Sequence, residues 1–136
     1  MAIKTCQAMI HHFPPIIYVA EAQTIMGKCY QQMGETENAV ETFKKELTHY
    51  HQIGSRCRLA QAYEEHGDVT HALEDYSSAL AEYQIIIRHY SDARPSDLRR
   101  AWRGSGNCYK KLGRLDEAKA AYNAAMEIKG DDICDT

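Results

Sequence analysis

The stretch RRAWRGSGNCYKKLGRLDEAKAAYNAAM, Arg99 to Met126, decides how the chain is read. Gly106 is followed three residues on by Tyr109, four further by Gly113, five further by Ala118 and four further by Tyr122. That spacing belongs to two helices meeting at a glycine. Gly106 lets the helices approach, Tyr109 fills the space between them, and Gly113 ends the first helix where a positive φ is wanted. Asp116 opens the second helix near its positive end, and Ala118 and Tyr122, four apart, share one face of it. The same ladder recurs in AEAQTIMGKCYQQMGETENAVETFKKEL, Ala20 to Leu47, as Gly27, Tyr30, Gly34, Ala39 and Phe43, with Glu35 at the second helix's start. It recurs again in IGSRCRLAQAYEEHGDVTHALEDYSSAL, Ile53 to Leu80, as Ala60, Tyr63, Gly67, Ala72 and Tyr76, with Asp68 following the glycine. Three antiparallel helix pairs in register are a repeat architecture.

Composition agrees. The 136 residues are 44% hydrophobic and 26% charged, with 3 Pro, 8 Gly and net charge −3. Those values describe a folded chain with few breakers and sparse β-branched residues, which disfavours sandwiches and barrels. The near-neutral balance gives no reason to bind nucleic acid, and basic residues are not interleaved with exposed aromatics. The longest wholly apolar run is Ile16 to Ala20, too short to span a bilayer, and no secretory signal opens the chain. Cys6, Cys29, Cys57, Cys108 and Cys134 are odd in number and widely spaced. They read as reduced core residues of a cytoplasmic protein, not as a disulfide framework or a zinc site. His11-His12 and His49-x-His51 cannot place two ligands on one helix face, so neither is a metal pair. No catalytic, phosphate-binding or cofactor motif occurs, so neither an enzyme nor a cofactor is expected.

The repeated residues resemble the tetratricopeptide repeat family, whose pattern is W-x2-L-G-x2-Y, then A-x3-F, then P. The third segment carries Trp102, Gly106, Tyr109, Ala118 and Tyr122, while Gln23 and Arg56 replace the Trp in the other two. Ser105 stands at the third segment's Leu, and His51, Gln84 and Gly130 at the closing Pro. The resemblance implies an all-α, right-handed superhelical solenoid of antiparallel helix pairs. The repeats fall at residues 20–52, 53–98 and 99–130. Residues 1–15 read as the second helix of a partial repeat, with Ala2, Cys6 and Pro14 at its marker positions, and residues 131–136 as an acidic tail. A fragment of a longer protein is expected, because a solenoid needs caps on its terminal apolar faces.

The step from Gly27 to Ala60 is regular, but that from Ala60 to Gly106 holds about a dozen extra residues. Tyr83, Ile86, Ile87 and Tyr90 continue at helical spacing, which predicts that repeat two's second helix runs on for two or three extra turns. It should stop near Ser91 to Arg94, with Pro95 enforcing the break and Ser96 or Asp97 capping the next helix. Two readings of the ridge Tyr83/Ile86/Ile87/Tyr90 stand: it packs on repeat three, or it docks a partner or a second copy.

The resemblance further implies that the first helix of each pair lines a concave face. Repeat one then offers Glu21, Thr24, Lys28, Gln31 and Gln32. Repeat two offers Gly54, Cys57, Gln61, Glu64 and Glu65, with Arg58 nearby. Repeat three offers Arg100, Arg103, Asn107, Lys110 and Lys111. Some members clamp a chaperone's C-terminal carboxylate with Lys/Asn/Asn/Lys/Arg. Here Lys28 stands where the first Asn would be and Gly104 where the Arg would be, so that clamp is not reproduced. The implied function is a non-catalytic scaffold or adaptor holding a protein or peptide, with an acidic partner favoured by the basic third repeat. The same basic residues also suit a merely solvated face. Homodimerisation through uncapped ends or the long helix is the alternative.

Overall fold

A computed structural model describes Ile3 and residues 16–49, 52–90 and 93–128. Among the described residues six helices follow one another: α1 Ile16–Gln32, α2 Thr36–His49, α3 Ile53–Thr70, α4 Leu73–His89, α5 Pro95–Lys111 and α6 Leu115–Glu127. Each packs on the next, and α3 also touches α5. The result is an all-α solenoid of three antiparallel pairs, as the spacing predicted. The partial repeat over residues 1–15 (Ile3 apart) and the acidic tail 131–136 lie outside the described residues.

Two of the three turns form as expected. Gly34 has φ +77° and Gly113 φ +79°. Around the first, Glu35 N–H donates to Tyr30 O at 2.9 Å and Gly34 N–H to Gln31 O at 3.1 Å. Around the second, Arg114 N–H donates to Tyr109 O at 2.8 Å and Gly113 N–H to Lys110 O at 3.1 Å. Both satisfy helix-end carbonyls through a left-handed residue that glycine adopts without a Cβ clash.

The middle turn corrects the expectation. Gly67 does not end a helix, and Asp68 does not open one; α3 runs through both to Thr70. His71 takes the left-handed conformation instead, with φ 60°, and its N–H donates to Gly67 O at 2.8 Å. Gly67 is buried because Tyr76 lies over it; an added Cβ there would sit 3.0 Å from the ring. Ala72, expected on the core face of the second helix, is the residue just before α4. Its core position passes to Ala79 and Tyr83, the same A-x3-aromatic spacing seven residues on, both buried in one cluster with Ala60. The left-handed turn has moved four residues along the chain, from Gly67 to His71, and the pairing of α4 on α3 has shifted by seven, about two helical turns.

The overlong helix is also corrected. α4 has 17 residues against 14 in α2, an excess of about one turn, and it stops at His89. The remaining extra residues lengthen α3 beyond Ala60, the link from Tyr90 to Arg94, and the start of α5 ahead of Gly106. Pro95 is the first residue of α5, and Asp97 Oδ2 accepts from Arg94 N–H at 3.2 Å, so Arg94 occupies the cap position.

Of the ridge on α4, Tyr83 and Ile86 lie in the core with Cys57, Ala101 and Cys108. The ring of Tyr83 fits only because residue 104 has no side chain; a Cβ there would lie 2.3 Å from it. Ile87 packs partly on the same cluster, and Tyr90 is half-buried with its hydroxyl accepting from Arg56 Nε at 2.9 Å. The packing reading describes this ridge. A free docking ridge does not, since Tyr83 and Ile86 are at most 2% exposed.

Candidate partner-binding face

Helices α1, α3 and α5 share one side of the molecule. Gln31 Nε2 on α1 donates to Glu65 Oε1 on α3 at 2.6 Å, and Lys111 Nζ on α5 lies 3.5 Å from Asp68 Oδ1 on α3. Lys28 on α1, Gln61 on α3 and Asn107 on α5 each follow the small residue that packs against the paired helix, and all three are exposed. Arg100, Arg103, Asn107 and Lys110 recur at three- and four-residue spacing, so they form one exposed stripe on α5. The Tyr122 hydroxyl donates to Asn107 Oδ1 at 2.5 Å and holds that side chain in place.

The charges are sorted by helix. On α3 the outward acids are Glu65 and Asp68, while Glu64 is more withdrawn. It accepts from the Tyr83 hydroxyl at 2.5 Å, and burial holds its carboxyl above the ordinary Glu range. On α5 the stripe is basic. Arg103 and Lys110 make no ion pair or hydrogen bond among the described residues, whereas Lys111 is shared between Asp68 and the Tyr76 ring, 5.9 Å from its centroid. Arg100 lies beside the Cys57 thiol.

Two expected face residues of repeat two lie elsewhere: Cys57 is buried in the core, and Arg58 turns to α2. Its guanidinium pairs with the carboxylate of Glu46 on α2, which also accepts from Ser55 Oγ at 2.9 Å. Glu46 is fully buried. The sequence did hold a signal for it: Glu46 sits three residues after Phe43 and seven after Ala39, on the core stripe of α2. A carboxylate on such a stripe requires a partner.

Beside the first turn, Glu35, Thr36, Glu37, Asn38 and His66 line a shallow hollow of about 260 Å³, with Thr36 Oγ1 2.8 Å from His66 Nδ1. No group of three His, Cys, Asp or Glu side chains among the described residues is placed to hold a metal ion. No described helix is long and apolar enough to cross a membrane.

The thiols of Cys57 and Cys108 are pushed up by burial; Arg100 draws Cys57 the other way without prevailing. Neither is a reactive nucleophile. Alkylation of the native protein by iodoacetamide, mapped by mass spectrometry, is expected to label half-exposed Cys29 and to spare Cys57 and Cys108 until denaturant is added. Fast labelling of Cys108 in the native state would contradict the packing of α3, α4 and α5.

The tetratricopeptide repeat profile matches residues 20–47 and 100–132, the pair α1–α2 and the pair α5–α6. These helix pairs are tetratricopeptide repeats. The two matched regions are the hairpins with glycine turns; the slid hairpin lies between them. Among solved structures, the chain is similar to BtubC (BKLC) from P. vanneervenii, at TM-score 0.57 and 24% identity, over 82% of this chain and 46% of that one. That likeness shows the fold, and the chain spans about half of that protein's length. No curated protein matches the sequence. Tetratricopeptide repeats serve as protein-interaction scaffolds and are typically non-catalytic.

Proposed function

We propose that these repeats bind a peptide segment or partner protein across the exposed sides of α1, α3 and α5, with Arg103 and Lys110 as the principal contacts and Arg100, Asn107, Lys28 and Gln61 around them. The supporting observation is that Arg103 and Lys110, which have no ion pair or hydrogen bond among the described residues, share a stripe with a held Asn107. Three arginines, by contrast, are engaged inside the chain: Arg56 with Glu82 at 2.7 Å, Arg58 with Glu46, Arg114 with Glu117 at 2.7 Å; among the described residues, exposed Lys28, Lys45, Arg88 and Lys119 are not. Charges left without a partner on a repeat's face can meet a ligand's carboxylates without first breaking a bond. An acidic segment of the partner over α5 follows. Unpaired Cys57 and Cys108 in the core suit a reducing, cytoplasmic setting.

The test is a pull-down with quantitative mass spectrometry, comparing the wild type with Arg103→Glu/Lys110→Glu. Helical content should be unchanged, and at least one captured protein should fall about tenfold, some 1.4 kcal/mol. A control reversal at exposed Lys119 on α6 should change nothing. An identical set of captured proteins in all three samples would overturn the assignment of this face.

A further inference from the structure

The acidic α3 beside the basic α5 adds a condition on what the face can take. Glu65 is bonded to the neutral amide of Gln31, so its charge is not cancelled, and Glu64 is held by the neutral phenol of Tyr83. Among the described residues the cross-helix ion pair between the rows is Lys111 with Asp68, two side chains that are both 54% exposed. It closes one end of the boundary and leaves Glu65 on one side and Arg103 and Lys110 on the other. A purely acidic segment gains over α5 and is repelled as soon as it crosses α3, and like charges brought face to face are a strong device against wrong partners.

We propose that the segment bound here is bipolar: a carboxylate-bearing residue over Arg103 and Lys110, and a cationic residue over Glu65, in one fixed order. This rests on the face assigned above and names its ligand chemistry. Packed helices lie ~10 Å apart, and an extended chain advances roughly 3.3 Å per residue, so the two charges stand about three residues apart in the ligand. The screening length at physiological salt is about 8 Å. A segment confined to α5 is thus only weakly affected by Glu65, and the crossing residues carry the discrimination.

The experiment is a phage-displayed random dodecapeptide selection on the full chain, run in parallel on Arg103→Glu and Glu65→Lys, with affinities of enriched peptides read by fluorescence anisotropy. The wild type is expected to enrich peptides with an acid and a base about three residues apart in one preferred order. Arg103→Glu should weaken their binding about tenfold, and Glu65→Lys should shift enrichment to peptides lacking the base. Acid-only peptides that depend on Arg103 but ignore Glu65→Lys would overturn the bipolar ligand and leave the face itself standing. Enrichment of no peptide sensitive to Arg103→Glu would overturn both.

Discussion

Replacing Arg58 by Met is expected to remove about 3 kcal/mol of folding stability, read as a lowered denaturation midpoint with helical content intact before the transition. The reason lies on the partner: Glu46 is fully buried, and without the guanidinium its carboxylate keeps a single neutral donor, Ser55 Oγ at 2.9 Å. Breaking a buried pair by deleting one member typically costs about 3–5 kcal/mol because an uncompensated charge stays inside. The lower end applies, since the Arg58 side chain is 29% exposed and water can enter where it stood. Against a total stability of ~5–15 kcal/mol, that loss is large. The double variant Glu46→Gln/Arg58→Met removes the charge and keeps an acceptor for Ser55, so it should recover most of it. A loss below about 1 kcal/mol in the single variant would reduce the pair to an ordinary surface bridge and return Arg58 to the binding face.

The second large effect concerns the slid hairpin. Tyr83→Ala is expected to cost about 4 kcal/mol, since deleting a buried aromatic ring leaves a cavity as well as losing its transfer energy. Gly104→Ala should cost about 2 kcal/mol. Its Cβ would stand 2.3 Å from the Tyr83 ring, an overpacking worth roughly 1–3 kcal/mol, against which alanine's helix propensity returns under 1 kcal/mol. The two sites must couple: in a Tyr83→Leu background, Gly104→Ala should cost at least about 1 kcal/mol less. Ala72→Ser separates the two registers. If Ala72 were on the core stripe, the hydroxyl would destabilise; at the cap position it holds in the structure, Ser should stabilise by about 0.5–1 kcal/mol. Additive costs at residues 83 and 104, together with a destabilising Ala72→Ser, would restore the unshifted hairpin.

Much of the fold was legible because three of its determinants are local. The glycines at 34 and 113 announce left-handed turns, the small residues at 27 and 106 stand opposite Phe43 and Tyr122 as the spacing required, and helical periodicity marks each core stripe. The stripe proposed as the binding face was legible in part for the same reason: once α5 is a helix, Arg100, Arg103, Asn107 and Lys110 must share one side of it. Repeat two resisted because its sequence carries two A-x3-aromatic pairs, Ala72/Tyr76 and Ala79/Tyr83, seven residues apart. A helix turns almost a whole number of times in seven residues, so both pairs satisfy the periodicity equally.

The sequence alone determined the class of architecture and, among the described residues, its three helix pairs. These follow from periodicity and turn chemistry, which act over a few residues. Tertiary structure alone decided which of the two aromatic pairs packs with Ala60, since that depends on Gly104 lying across from Tyr83 and on Gly67 lying beneath Tyr76. It also decided which cations are engaged and which are left over. Arg58 and Arg103 look alike along the chain, and only the packing of α2 on α3 brings a buried carboxylate to the first while leaving the second facing outward.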